Sequence, residues 1–132
     1  MATERQSTAF VFPGVGVKLT GHELGFVQAH PGAFALRLAE ASDAAHVDLQ
    51  QSLVAGSIGR RDSRQDHFFA YAFSCAVVDL CCETNLAADL MAGYSFGIYA
   101  ALYASGAVSF SDGLSAIGRA YDLMDTDRKS VV

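Results

Sequence analysis

The chain has 132 residues, the size of one ordinary domain, and at 52% hydrophobic and 17% charged it carries enough apolar surface to build a buried core. A formal charge of -5, with only nine scattered Lys and Arg, argues against a nucleic-acid surface, because phosphate binding needs clustered cations. Three cysteines, Cys75, Cys81 and the adjacent Cys82, fit neither a disulfide framework nor a C-x-x-C pair. They are expected as reduced thiols, and the polar start without a long apolar stretch is unlike a secretory signal, so a cytoplasmic protein is the expectation.

Ala9, Phe10, Val11 and Phe12 form a short apolar run closed by Pro13-Gly14 and read as a strand. Both of its faces are apolar, which predicts a parallel sheet covered on each side. Residues 19–30 and 33–45 read as helices, the second opened by Pro31. Residues 46–66 hold Gly56, Gly59, Arg60, Arg61, Asp62 and Arg64, the most polar stretch, and predict a surface loop around a short helical turn. The two glycines of that loop are expected to tolerate substitution.

Residues 67–82 are apolar almost all round, which predicts a buried, central helix ended by Glu83, Thr84 and Asn85. Residues 90–111 carry no charge and are long enough to raise a membrane span, but Gly93, Gly97, Gly106 and four serines divide them into strand, turn and helix, so no membrane partner is expected. The strand is residues 89–93, the helix residues 97–105, and Gly106 its left-handed stop. Ser109 or Ser111 caps a last helix bearing Leu114, Ile117, Tyr121 and Met124 at helical spacing, which is expected to fray after Asp125.

Chemistry enters at Gly93-Tyr94-Ser95-Phe96-Gly97. This is a G-x-S-x-G sequence set where a predicted strand turns into a predicted helix. Glycines on either side remove the Cβ atoms that collide when strand and helix fold against each other, and the serine Oγ is pushed out at a helix N-terminus. The bland alternative is that Ser95 only caps the helix. The first strand ends in Phe12-Pro13-Gly14-Val15-Gly16, whose glycines Gly14 and Gly16 free backbone N–H groups to face a neighbouring loop. Two such turns at one sheet edge supply two oxyanion donors, the N–H of Val15 and of Phe96.

No metal site is expected: His22-Glu23 begins an H-E-x-x-H pattern, but Phe26 stands at the second histidine. Residues 14–18 satisfy neither a P-loop nor a dinucleotide fingerprint. Tyr99 and Tyr103 are expected to pack behind the elbow, and Asp89 to be a solvated loop charge.

FVFPGVG near the start and MAGYSFGIYAALYASGAVSFSDGL further on resemble the N-terminal half of the malonyl-CoA:acyl carrier protein transacylase family, whose pattern is FPGQG, then GHSLGE, then an alanine-rich helix and a Phe-x-Asp turn. The resemblance runs from Phe10 to Met124. It implies an α/β fold, a parallel sheet flanked by helices within an α/β-hydrolase-like acyltransferase core. It implies Ser95 as nucleophile with Val15 and Phe96 as oxyanion donors, acyl-CoA as substrate with no bound cofactor, and acyl carrier protein as partner.

It also implies that residues 1–132 are the N-terminal portion of an acyltransferase domain. The catalytic histidine and a small ferredoxin-like lid would then lie outside, with a second chain as one source of the histidine. An acyl-thioester hydrolase on the same scaffold, and a non-catalytic fragment, remain alternatives.

The departures concern the pocket. Val15 replaces the family's glutamine, Tyr94 its histidine and Ile98 its glutamate. The arginine that pairs with a malonyl carboxylate falls, without gaps, on Ala120, with Arg119 one residue early. One residue is about 100 degrees of helix rotation, so Arg119 is expected to point away and uncharged acyl groups to load better. Gln65 resembles a pocket-lining glutamine.

Overall fold

The computed structural model describes residues 4–16, 19–59 and 63–130. The polar positions Arg60, Arg61 and Asp62, together with Lys18 and Val132, lie outside the described residues. In chain order the elements are β1 (Ala9–Phe12), α1 (His22–Ala29), α2 (Pro31–Ala45), α3 (Leu49–Val54), α4 (Ser63–Glu83), β2 (Leu90–Gly93), a 3₁₀ turn (Ser95–Gly97) running into α5 (Ile98–Ala104), and α6 (Phe110–Ser130).

Helix starts follow local capping chemistry more than hydrophobicity. Thr20 and Glu23 form a reciprocal cap, the Thr20 N–H donating to the Glu23 carboxylate at 3.1 Å and the His22 N–H to the Thr20 hydroxyl at 3.3 Å. Gly21 between them has φ 94, so α1 begins at His22 and not at residue 19. Asp48 caps α3 by accepting from the Gln51 N–H at 3.0 Å. Of the two serines weighed for α6, Ser109 is the cap, accepting from the Asp112 N–H at 3.1 Å. Helix α4 starts earlier than its apolar run, at Ser63, because its first turn is polar. Helix α6 runs on to Ser130 where fraying was expected.

Helix α4 is the central element, and none of its described residues from Arg64 to Cys81 is exposed. Phe34, Leu38, Ala41 and Ala45 of α2, at helical spacing, pack with its buried Phe68, Phe69, Tyr71, Ala72, Cys75 and Ala76. Phe110, Leu114 and Ile117 of α6 and Ala100 and Ala101 of α5 join this core. Tyr71 stacks on Phe110 with ring centroids 5.1 Å apart, and its hydroxyl donates to the Phe110 carbonyl at 3.1 Å.

One polar cluster ties α2, α4 and α5 together. Arg37 donates from Nε to Asp79 at 2.9 Å and from Nη2 to the Tyr103 hydroxyl at 3.0 Å, while Tyr103 donates to the other Asp79 oxygen. Burial and the bond to Asp79 push the Tyr103 phenol well above its usual range. Tyr103 is thus more than the packing residue expected of it. Its hydroxyl is the bridge between cation and carboxylate. Burial pushes the Cys75 thiol up to about 12, so it behaves as a small core side chain.

The strands pair in parallel, with Phe10 opposite Met91 and Phe12 opposite Gly93. Asp89 sets this pairing: its carboxylate accepts the Thr8 N–H at 3.0 Å and is ion-paired with Arg5, so it is not merely solvated. Helices cover only one face. Phe12 is buried, whereas Val11 is 71% and Leu90 65% exposed, which corrects the expectation of a sheet covered on both sides. Among the described residues no helix is long and apolar enough to cross a membrane.

Two helical glycines predict opposite outcomes for the same change. A Cβ on Gly113 would come within 3.1 Å of Tyr71 Cε2 and nearer still to its hydroxyl, a side chain fixed by stacking and a hydrogen bond. Gly113→Ala is expected to destabilise the chain by about 1–3 kcal/mol through overpacking. At Gly25 of α1 a Cβ meets open space, so Gly25→Ala is expected to stabilise by about 0.5–1 kcal/mol. Chemical denaturation of the two variants beside the parent chain checks both signs.

Candidate active site

The chain leaves β2 at Gly93, passes through an extended Tyr94 and turns at Ser95 into the helix. Ser95 has φ 52, a left-handed conformation that costs a non-glycine residue of order 1–3 kcal/mol and persists only where the surroundings enforce it. The enforcement is visible on both sides. The Tyr94 N–H donates to the Phe12 carbonyl at 2.9 Å, and the Gly97 N–H closes the turn on the Tyr94 carbonyl at 2.9 Å.

Close approach explains the flanking glycines. A Cβ on Gly93 would lie 2.5 Å from the Gly97 carbonyl oxygen, and one on Gly97 would lie 2.8 Å from both the Phe12 carbonyl carbon and the Pro13 oxygen. These neighbours are backbone, so nothing can move aside cheaply. Gly14 brings the first turn against the elbow: its Cβ would meet the Tyr94 oxygen at 3.2 Å and Ser95 Cβ at 3.5 Å. Gly16 has φ 97, and Val15 between the two glycines is half-buried. Gly56 and Gly59 also have positive φ, 70 and 84, so their loop is less permissive than its polarity suggested.

The two turns singled out in the sequence therefore meet. Ser95 is exposed at the start of a helix, where first-turn N–H groups have no intrahelical partner. Tyr94 is 76% exposed and Ile98 is exposed beside it, so both stand at the rim. The half-buried Phe96 packs on Tyr99 at 5.2 Å between ring centroids.

The other predicted residues lie differently. Arg119 is exposed and Ala120 half-buried on α6. Gln65 is buried, with its amide donating to the Ser57 carbonyl at 3.1 Å, in the connection between α3 and α4. On α4 the ring of His67 lies edge-on to Phe96 of the elbow at 4.7 Å and to Tyr121 at 6.0 Å. In the sequence His67, like His22, His30 and His46, lies in no setting that resembles the family's base. Its significance comes from three separated elements meeting, for which no local signal exists. Among the described residues no group of three His, Cys, Asp or Glu is placed to hold a metal.

No family model matches the chain. A malonyl-transacylase solved in complex with the acyl-carrier protein of a type II polyketide synthase superposes with a TM-score of 0.76 and 29% identity, over 92% of this chain and 40% of its own. The malonyl-CoA:acyl carrier protein transacylase of Xanthomonas oryzae gives 0.69 and 30% over 88% and 37%, and FabD of Acinetobacter baumannii 0.72 and 31% over 91% and 38%. A non-reducing polyketide synthase of a Nectria species is 38% identical over 65 residues, 49% of this chain and 3% of that protein. The chain spans about two-fifths of the length of the solved transacylases, less than the half suggested by the motifs. The small parallel sheet among helices and the two turns in their order match the corresponding part of the fold of these malonyl-CoA:acyl carrier protein transacylases.

Proposed function

We propose that the chain is the nucleophile-bearing portion of an acyltransferase that moves an acyl group from coenzyme A to the phosphopantetheine thiol of an acyl carrier protein. The observation that carries this reading is Ser95 itself, held at φ 52 between two glycines with no room for a Cβ and with the Gly14 turn against its side chain. A serine that only capped a helix would not need that conformation.

In the proposed reaction Ser95 Oγ attacks the thioester carbonyl and its proton passes to a histidine base supplied from outside these 132 residues. The N–H groups of Val15 and Phe96 receive the oxyanion. Collapse breaks the C–S bond, the coenzyme A thiolate takes the proton, and an acyl-Ser95 ester remains. The carrier thiol then attacks that ester, giving acyl carrier protein and free serine. Acyl-CoA is a substrate, and no resident cofactor takes part. Tyr94 and Ile98 form the rim over which substrate passes. The transacylase solved with an acyl-carrier protein supports that partner, and the related transacylases support malonyl as the acyl group.

The open sheet face at Val11 and Leu90 favours a second part of the enzyme that covers it and brings the base, from the same polypeptide or a second chain. Water reaching the acyl-serine would turn the same site into a hydrolase. A time course of thioester loss with and without carrier separates the two.

In the assembled enzyme a fluorophosphonate probe is expected to label Ser95 alone, with labelling abolished by Ser95→Ala; intact-mass and peptide mapping read the result, and unchanged labelling of that variant contradicts the assignment. Arg119 is exposed on α6, so Arg119→Ala is expected to leave the ratio of malonyl to acetyl loading within about twofold of the parent, the scale of a solvated surface charge. Rapid-quench measurement of acyl-Ser95 from each thioester checks it.

A further inference from the structure

Helix α5 is a short lever with one end at the elbow. It runs straight out of the 3₁₀ turn at Ser95–Gly97, and the Ile98 N–H donates back to the Ser95 carbonyl. Its near end is set by Gly97 against the end of β1, where a Cβ would lie 2.8 Å from the Pro13 oxygen. Along its length only Ala100 and Ala101 are buried, while Ile98 and Leu102 are exposed. Two methyl groups give little hydrophobic grip, and a helix this short is marginal by itself. Its far end needs another anchor.

That end carries Tyr103. Its hydroxyl donates to Asp79 of α4 and accepts from Nη2 of Arg37 of α2 at 3.0 Å, while Arg37 Nε donates to the second Asp79 oxygen at 2.9 Å. Bonds to an ionised partner are of the stronger, charge-assisted kind, and three of them here close on one another. The Tyr103 ring is seated edge-on to Phe110 at 6.1 Å, and the Arg37 guanidinium lies 4.6 Å from the same Phe110 ring. Tyr103 is about 140 degrees round the helix from Ile98, at about 100 degrees per residue, so anchor and rim occupy different sides. Along the axis Ser95 and Tyr103 are about 12 Å apart, and a tilt of about 5 degrees over that length shifts one end by about 1 Å. A misplacement of that size in a reacting group costs up to about a hundredfold in rate.

We propose that Tyr103 and Asp79 are positioning residues for acyl-Ser95 formation: the bond from the Tyr103 hydroxyl to the Asp79 carboxylate, braced by Arg37, fixes the tilt of α5 and with it the aim of Ser95 Oγ and of the Phe96 N–H. The inference rests on the reading of Ser95 as nucleophile given above. Neither residue touches the substrate. Both act through α5, so the bond contributes to the rate of the chemical step and not to the binding of the thioester.

The test is rapid-quench measurement of acyl-Ser95 in the assembled enzyme with malonyl or acetyl coenzyme A, whichever the parent loads faster, over a range of thioester concentrations. The first-order rate constant at saturation does not depend on how much enzyme is folded, and the amplitude reports that fraction. Tyr103→Phe keeps the ring against Phe110 and removes only the hydroxyl. It is expected to lower the saturating rate constant at least tenfold while the half-saturating concentration stays within about twofold. Asp79→Ala is expected to match it, and Asp79→Asn, which keeps a neutral acceptor, to recover most of the rate. The double variant Tyr103→Phe, Asp79→Ala is expected to be no more than about twofold slower than either single one, because all three remove the same bond. Glu40→Gln, which alters only the 3.8 Å contact of Glu40 with Arg37, is expected to load at the parent rate.

A parent-like rate constant in Tyr103→Phe, with or without a reduced amplitude, would mean that the cluster only joins helices. A change confined to the half-saturating concentration would assign the cluster to substrate binding. Independent, multiplying losses in the double variant would separate the roles of the two residues. Should Tyr103→Phe not fold, equal rate constants for Asp79→Asn and Asp79→Ala decide against the bond. Each of these results overturns the inference. The reading of Ser95 fails separately, if the parent forms no acyl-serine from either thioester or if Ser95→Ala still does.

Discussion

The backbone of Gly97 rests against the carbonyl of Phe12, closer than any residue with a Cβ could approach, and much of the site follows from that contact. It brings the first turn of the helical segment beginning at Ser95 down onto the end of β1. The Tyr94 N–H is then within reach of the Phe12 carbonyl, the peptide after Pro13 lies beside the elbow, and Gly14 fits against Ser95. A methyl group at either Gly93 or Gly97 would separate strand from helix. The left-handed turn at Ser95 would then lose the surroundings that keep it in place.

Strain at the elbow is held by packing some distance away. Helix α5 is fixed from behind by Ala100 and Ala101 in the core and by Tyr103 in the cluster with Arg37 and Asp79. That cluster is half-buried and each charged member is hydrogen-bonded, the arrangement in which a buried ion pair orients its neighbours. The Arg37 guanidinium also lies 4.6 Å from the Phe110 ring, the residue that opens α6. Helices α2, α4, α5 and α6 are thus referred to one polar centre. The elbow inherits its position from a scaffold built by the helices, with only two short strands to aim it.

The face that carries Ser95 and the uncovered sheet face differ in character. Where Ser95 emerges, the glycine backbone of the two turns packs tightly and Tyr94 and Ile98 stand exposed beside it. Across the sheet, Val11 and Leu90 present branched apolar side chains to the outside. Exposed side chains of that kind beside unpaired strand edges are costly in isolation and productive when another layer of protein covers them. In the proposed reading, the part of the enzyme that brings the base also covers this sheet face.

The elements that rest on local chemistry were legible in the sequence. The four residues of β1, the strand ending at Gly93, the left-handed stop at Gly106 and the buried character of α4 follow from apolar runs and from glycines whose backbone requirements are local. So does the strained turn at Ser95, because G-x-S-x-G between a strand and a helix leaves few ways to connect them. What the sequence alone could not decide depends on which elements lie side by side. Whether β1 is covered on both faces, whether Asp89 is solvated or aligns Thr8, whether Tyr103 packs or bridges, and whether Gln65 or His67 faces the elbow are set by contacts between residues far apart in the chain. A rotation of 100 degrees per residue along α4 exchanges one side chain for another at the site without disturbing the apolar pattern that predicts the helix. Only the packing of α4 against α2, α5 and α6 fixes that rotation, and with it the side chain that meets the residue beside the serine.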